Sequence, residues 1–127
     1  MELVKYITLS HNNKDYYSYK SASNIEMSIL GQFLFSEVRN DISFFKKWFF
    51  DELSDSASNN CTILEKEDGF ILIRDMYSEE EEPTQLKLTY AQFLQILNDW
   101  EEKVIQLKPK EVIIKHENDQ FIFETKD

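Results

Sequence analysis

His11, Cys61 and His116 are the side chains of this sequence best suited to ligating a soft metal or acting as nucleophile and base. They stand far apart and on different predicted elements. Metal centres need clustered ligands at definite spacing, so no metal site is expected. Cys61 opens a predicted strand beside a run of acids. Negative surroundings disfavour the thiolate, so the reading for Cys61 is an inert thiol. His116 falls on the apolar face of a predicted strand, which suits a hydrogen-bonded core or rim histidine better than a general base. Phosphate cradles need several glycines at a helix start, whereas Gly31 and Gly69 are isolated. Calcium loops alternate ligands with spacers around a central glycine, but Glu79, Glu80, Glu81 and Glu82 form an unbroken block before Pro83. Acids are plentiful, yet nothing singles out a pair for acid–base work. The expectation is a chain with no catalytic residue, no metal and no cofactor, whose activity is binding.

What it binds is suggested by charge. The formal net charge is −10 over 127 residues. Residues 51–82 carry eleven of the acids, Asp51, Glu52, Asp55, Glu65, Glu67, Asp68, Asp75 and Glu79 to Glu82, against Lys66 and Arg74. That quarter of the chain therefore holds −9 of the total. Nucleic-acid binding depends on Lys and Arg neutralising phosphate, so direct binding of DNA or RNA is disfavoured, as is an anionic membrane surface. A run of Glu in a loop is commonly a solvated surface and nothing more. Here acids on the flanking hairpin and at a helix exit add to it. If Asp75, the Glu79–Glu82 block, Asp51, Glu52 and Asp55 converge on one face, they form a surface for a cationic partner, with Tyr77 as an aromatic anchor.

The elements that would position these residues read as a single α+β domain over 1–127, with about five mostly antiparallel strands and three helices packed mainly on one face. Leu3 to Leu9 reads as a strand, apolar on both faces. The following HNNKDYYSYKSAS reads as a loop with some extended structure. Ser23 and Glu26 have capping-box spacing before the stripe Ile25, Ile29, Leu30, Phe33 and Leu34. Asn40 or Asp41 would cap a second helix, Ile42 to Leu53. Its stripe of Ile42, Phe45, Phe49 and Leu53 is broadened by Phe44, Trp48 and Phe50, so it is either buried on two faces or presents an aromatic patch.

After the loop SDSASNN, Asp68-Gly69 marks a hairpin in which Leu64 faces Ile73 and Lys66 faces Ile71. A short strand at Gln85 to Leu88 leads into a helix capped by Thr89 and Gln92, with Leu88 and Phe93 as a hydrophobic staple. Phe93, Ile96, Leu97, Trp100 and Val104 form its stripe, Asp99 and Lys103 are spaced to pair, and Pro109 ends it. A last hairpin turns at Asn118-Asp119, with Val112, Ile114, His116, Phe121 and Phe123 on one face. No apolar run reaches the ~18 residues of a membrane span, MELVKYITL has no signal-peptide pattern, and one cysteine allows no internal disulfide. Together these lead to the expectation of a cytoplasmic protein.

The order EKEDGFILIRDMYSEEEEP, LKLTYAQFLQILNDW, KPKEVIIKHENDQFIFE resembles the small acidic immunity proteins that bacteria encode beside polymorphic or contact-dependent growth-inhibition toxins. The likeness is clearest from Asn60 to Phe123, with an echo at SNIEMSILGQFLFSEV. It implies a cognate toxin domain, often a basic nuclease, that the immunity protein plugs or covers. Interface residues vary within such families, so none is carried over, and the expected binding residues rest on charge alone. The other reading is an adaptor or regulatory module that takes a protein or peptide on the aromatic second helix, through Trp48 or Phe50, or on an open sheet edge.

Overall fold

The computed structural model describes residues 4–11, 17–58, 62–75 and 85–126, apart from the side chains of Ser58 and Asp75. Among the described residues, eight strands form two four-stranded antiparallel sheets. The first has the order β2-β1-β7-β8, from β1 (Lys5–His11), β2 (Tyr17–Ala22), β7 (Glu111–Glu117) and β8 (Gln120–Lys126). The second has the order β3-β4-β5-β6, from β3 (Ser56–Ser58), β4 (Thr62–Glu67), β5 (Phe70–Asp75) and β6 (Gln85–Thr89). Three helices, α1 (Ile25–Gln32), α2 (Ser43–Phe50) and α3 (Tyr90–Asp99), complete the α+β domain.

Strand alternation decides which sheet faces turn inward. In the first sheet Ile7, Ile114 and Phe123 lie level across three strands, and Leu9 lies level with Val112. In the second, Leu64, Ile73 and Leu86 lie level, as do Ile71 and Leu88. All of these are buried. Helix α1 touches β1 and β2 of one sheet and β5 and β6 of the other, while α3 touches β8 as well as β5 and β6. The helices thus cover one face of each sheet and share a single core with both. With sheet on two sides, α1 buries Met27 as well as Ile29, Leu30 and Gly31.

Gly31 shows how closely α1 lies on β1. A Cβ there would sit 2.8 Å from both Cδ1 and Cγ1 of the fully buried Ile7. The glycine costs helix propensity and gains the close approach. The cap of α1 is Asn24, whose side chain accepts from the Met27 amide at 3.1 Å. Ser23, the expected cap, is engaged elsewhere: its hydroxyl oxygen accepts from the Tyr6 amide and ties the helix entry to β1. In α3 the expected capping box is present, with Thr89 accepting from the Gln92 amide and Gln92 accepting from the Thr89 amide.

Both α1 and α3 widen into π-helical turns, at Phe33–Val38 and Trp100–Ile105. The Arg39 amide donates to the Leu34 carbonyl and the Gln106 amide to the Glu101 carbonyl, each five residues back. The two widened ends are joined where the Trp100 indole donates to the Arg39 carbonyl at 2.8 Å. The spaced pair Asp99 and Lys103 is not used as anticipated, since Asp99 accepts from Gln95.

The two tight hairpins follow their turn residues. Asp68 and Gly69, and Asn118 and Asp119, all have positive φ, as a two-residue turn between twisted strands requires. Leu64 pairs with Ile73 and Lys66 with Ile71, the expected register. The outer edge of β8 is partly covered, because Gln95 donates to the Phe121 carbonyl and Gln92 to the Asp119 carbonyl. The strand expectation of about five was low for two reasons. β2 is too polar, and β3 too short, to carry an apolar alternation.

Candidate partner-binding surface

The expected binding residues fall into three groups. Tyr77 and Glu79 to Glu82 lie outside the described residues, as does Cys61. Asp51, Glu52 and Asp55 are exposed just beyond the C-terminus of α2. Asp75 is at the end of β5, where its backbone pairs with Thr62.

The Asp51–Asp55 loop is held against the opposite end of the same hairpin. The Lys66 amide donates to the Asp55 carbonyl at 2.8 Å. The Lys66 ammonium donates to the carbonyls of Trp48 and Asp51, both at 2.8 Å, and sits 4.8 Å from the centre of the Trp48 ring. Asp75 is level with Thr62, four residues along β4 from Lys66. At roughly 3.3 Å per residue the two groups are about 13 Å apart along the strand. Asp75 and Asp51–Asp55 are therefore not gathered at one point; they stand at opposite ends of the hairpin.

What gathers at the turn end is a different set. The turn itself carries Glu67 and Asp68, both exposed. Asp51, Glu52 and Asp55 join them through the Lys66 contacts. Lys66 is the cation of this end, but its charge is directed inward onto the α2 terminus, where carbonyls and the helix dipole stabilise it. Asp51 is fixed by accepting from the Leu53 amide at 3.0 Å. Arg74 forms an ion pair with Glu65 on the outer face of the second sheet, and Lys87 lies 4.1 Å over the Phe70 ring. Five exposed carboxylates thus stand near the turn end, where Lys66, Arg74 and Lys87 make the contacts described and Lys47, in the last turn of α2, is exposed. Glu67 and Asp68 belong to the acid-rich stretch 51–82, but nothing in their spacing links them to a helix exit fifteen residues upstream.

Beside these acids stand uncovered aromatics. Trp48 is buried at 6% exposure, whereas Phe50 is 63% exposed and Leu53 96%. The Phe50 ring packs edge-on to half-buried Phe49 at 5.1 Å, and Phe49 packs in the same manner on Tyr90 at 5.2 Å. Phe49 in turn stacks on the core residue Phe93 at 5.6 Å. Tyr90 is adjacent in sequence to Thr89, which is level with Phe70 at the turn. Aromatic row and carboxylates therefore occupy one end of the molecule. Phe44 is also exposed, against Phe45.

Comparison with protein-family models, curated proteins and solved structures gives no match to this chain.

Of the groups first weighed for chemistry, the two histidines stand at opposite ends of the first sheet, and Cys61 lies outside the described residues. His116 stacks on Phe121 at 4.3 Å with the rings nearly parallel. Its Nε2 is buried and finds no hydrogen-bond partner among the described residues. Burial, then the charge of Lys5, hold its pKa below the ordinary histidine value. His11 lies at the other end of the first sheet, 4.9 Å from Tyr17. No cluster of three His, Cys, Asp or Glu suited to a metal occurs among the described residues, and none of the described helices is long and apolar enough to cross a membrane.

Proposed function

We propose that the chain is an immunity protein, which binds a cognate toxin domain with a basic nuclease surface and holds it inactive in the cytoplasm. The observation that carries this reading is charge segregation. Residues 51–82 hold −9 of a total of −10, and the described carboxylates at the turn end are exposed while Lys66 is engaged internally. A nuclease must attract phosphate, so its substrate groove is cationic. An acidic surface on a stable α+β scaffold is its electrostatic complement. Such complementarity raises association rates by about 10–10³ at low salt. The resemblance of the hairpin, the Thr89-capped helix and the final strand pair to acidic immunity proteins supports the same reading.

The test is functional. A compact basic domain encoded in the neighbouring reading frame is expressed with and without this chain. Its cleavage of RNA and DNA should be titrated to zero at one equivalent. A neighbouring basic domain whose cleavage is unaffected by a tenfold excess would overturn the proposal.

The adaptor reading is favoured by one observation, the exposure of Phe50 at the end of α2, and opposed by the burial of Trp48. The two readings separate on charge. An adaptor binding through the aromatic helix alone keeps its affinity when Asp51, Glu52 and Asp55 are neutralised, whereas an immunity protein loses association rate.

A further inference from the structure

Exposed carboxylates set encounter rate more than affinity. A rim ion pair contributes about 0.2–1 kcal/mol, so tight inhibition needs a desolvated centre as well. The turn end carries exposed apolar side chains for a partner to desolvate. We infer that Phe50, backed by Phe49 and Tyr90 and followed three residues on by the almost fully exposed Leu53, is the apolar anchor for a protein segment that carries an apolar side chain flanked by Lys or Arg. This inference rests on the acidic-surface reading and adds to it where the energy of binding is concentrated and what the partner must present there.

Three observations carry it. First, Phe50 is 63% exposed at the last position of α2, and Leu53, in the turn beyond the helix rather than on it, is 96% exposed. Second, the patch is supported from below: Phe50 rests on Phe49, Phe49 on Tyr90 and on the core ring of Phe93. A rigid aromatic on a fixed base loses little entropy on binding, the property that makes aromatics frequent binding hot spots. Third, the rim selects the occupant. Asp51 and Glu52 directly follow Phe50 and Asp55 follows Leu53 by two residues, all three exposed, while Glu67 and Asp68 are exposed at the adjoining hairpin turn. Lys47, exposed one turn back on α2, is the cation nearest in sequence. The rim therefore stays negative, which repels nucleic acid and anionic lipid and favours a basic polypeptide.

The experiment uses the full chain and three synthetic 16-residue peptides. One carries Leu and Lys at helical spacing, one carries Ser and Lys, and one carries Leu and Gln. Binding is followed by amide chemical shifts in isotope-labelled protein and by the dissociation constant. The Leu–Lys peptide should shift the amides of Phe49 to Ser54 and of Tyr90, and should bind at least tenfold more tightly than either other peptide. Phe50→Ser, and separately Leu53→Ser, should remove that tenfold preference while leaving the fold unchanged, since both side chains are exposed.

Equal affinity for the Leu–Lys and Ser–Lys peptides would overturn the anchor and leave the acidic surface standing. Equal affinity for the Leu–Gln peptide would overturn the role of the rim. Shifts located away from α2, no binding of the Leu–Lys peptide at millimolar concentration, or stronger binding to phosphatidylcholine–phosphatidylglycerol vesicles would each overturn the inference as well. None of these outcomes depends on whether the neighbouring toxin domain is inhibited, so failure of the anchor and failure of the immunity reading are separable.

Discussion

Lys66→Met tests how the binding end is built. The substitution keeps most of the stem and removes the ammonium. Two hydrogen bonds are lost, to the Trp48 and Asp51 carbonyls, both 2.8 Å long in the wild type. Bonds from charged donors contribute about 1.5–3 kcal/mol when buried, but this ammonium is only half-buried, so about 1 kcal/mol each is the appropriate scale. The contact over the Trp48 ring adds about 0.5 kcal/mol. The total is a loss of roughly 2.5 kcal/mol, or about 7–10 °C in Tm for a domain of this size. Thermal unfolding measures the total, and hydrogen exchange shows where it arises. The amides of Ser54 and Lys66, which donate to Asp51 and Asp55 carbonyls, should exchange faster than the loss of global stability alone requires. A variant within 0.5 kcal/mol of wild type, with unchanged exchange in this loop, would show that Lys66 does not hold the acidic loop in place.

Other perturbations probe the scaffold. Gly31→Ala should destabilise although alanine favours helix by about 1 kcal/mol, because overpacking against Ile7 costs about 1–3 kcal/mol; chemical denaturation of Gly31→Ala, Ile7→Ala and the double variant should give a cost smaller than the sum. His116 has its pKa lowered by burial and by Lys5, with Asp119 and Glu26 opposing, so the neutral ring is favoured on folding. Its contribution is complete above the ordinary histidine value near 6.5 and is lost as pH falls through the lowered value; His116→Phe should flatten Tm between pH 7.5 and 5.5, and an unflattened profile would refute this. Thr89→Ala should cost about 1 kcal/mol through loss of the α3 cap, with little further cost from adding Gln92→Ala, read by denaturant titration.

The parts of the fold legible in advance were those set by local rules. Asp68-Gly69 and Asn118-Asp119 adopt positive φ that few other residues tolerate, so each gave both a turn and its register. Thr89 with Gln92 announced α3 because the cap is a contact within four residues. Long-range contacts were not legible. Ser23 has the spacing of a cap, but Tyr6, seventeen residues earlier, claims its hydroxyl. β3 gains its identity only by pairing with β4, since three residues hold no periodicity. The division into two sheets depends on β1 pairing with β7 across a hundred residues.

The candidate surface follows the same pattern. That acids dominate residues 51–82 is a matter of counting. Which of them meet is decided by the fold, and Lys66 brings the helix exit to the turn rather than to Asp75. The aromatic run of α2 was read as either core or display. It is both: Phe45 and Trp48 face inward, while Phe44 and Phe50, at other angles of the same helix, face solvent.

The central claim is that clustered carboxylates recruit a cationic toxin domain. Its most direct test is the association rate constant with that domain, by stopped flow, at low and at physiological salt. The wild type is compared with Asp51→Lys/Glu52→Lys/Asp55→Lys and with lysine at all four of Glu79 to Glu82. The account predicts that both charge reversals slow association at low salt by tenfold or more and flatten its salt dependence, because they remove the steering field. Reversed variants that associate as fast as wild type at low salt would contradict it.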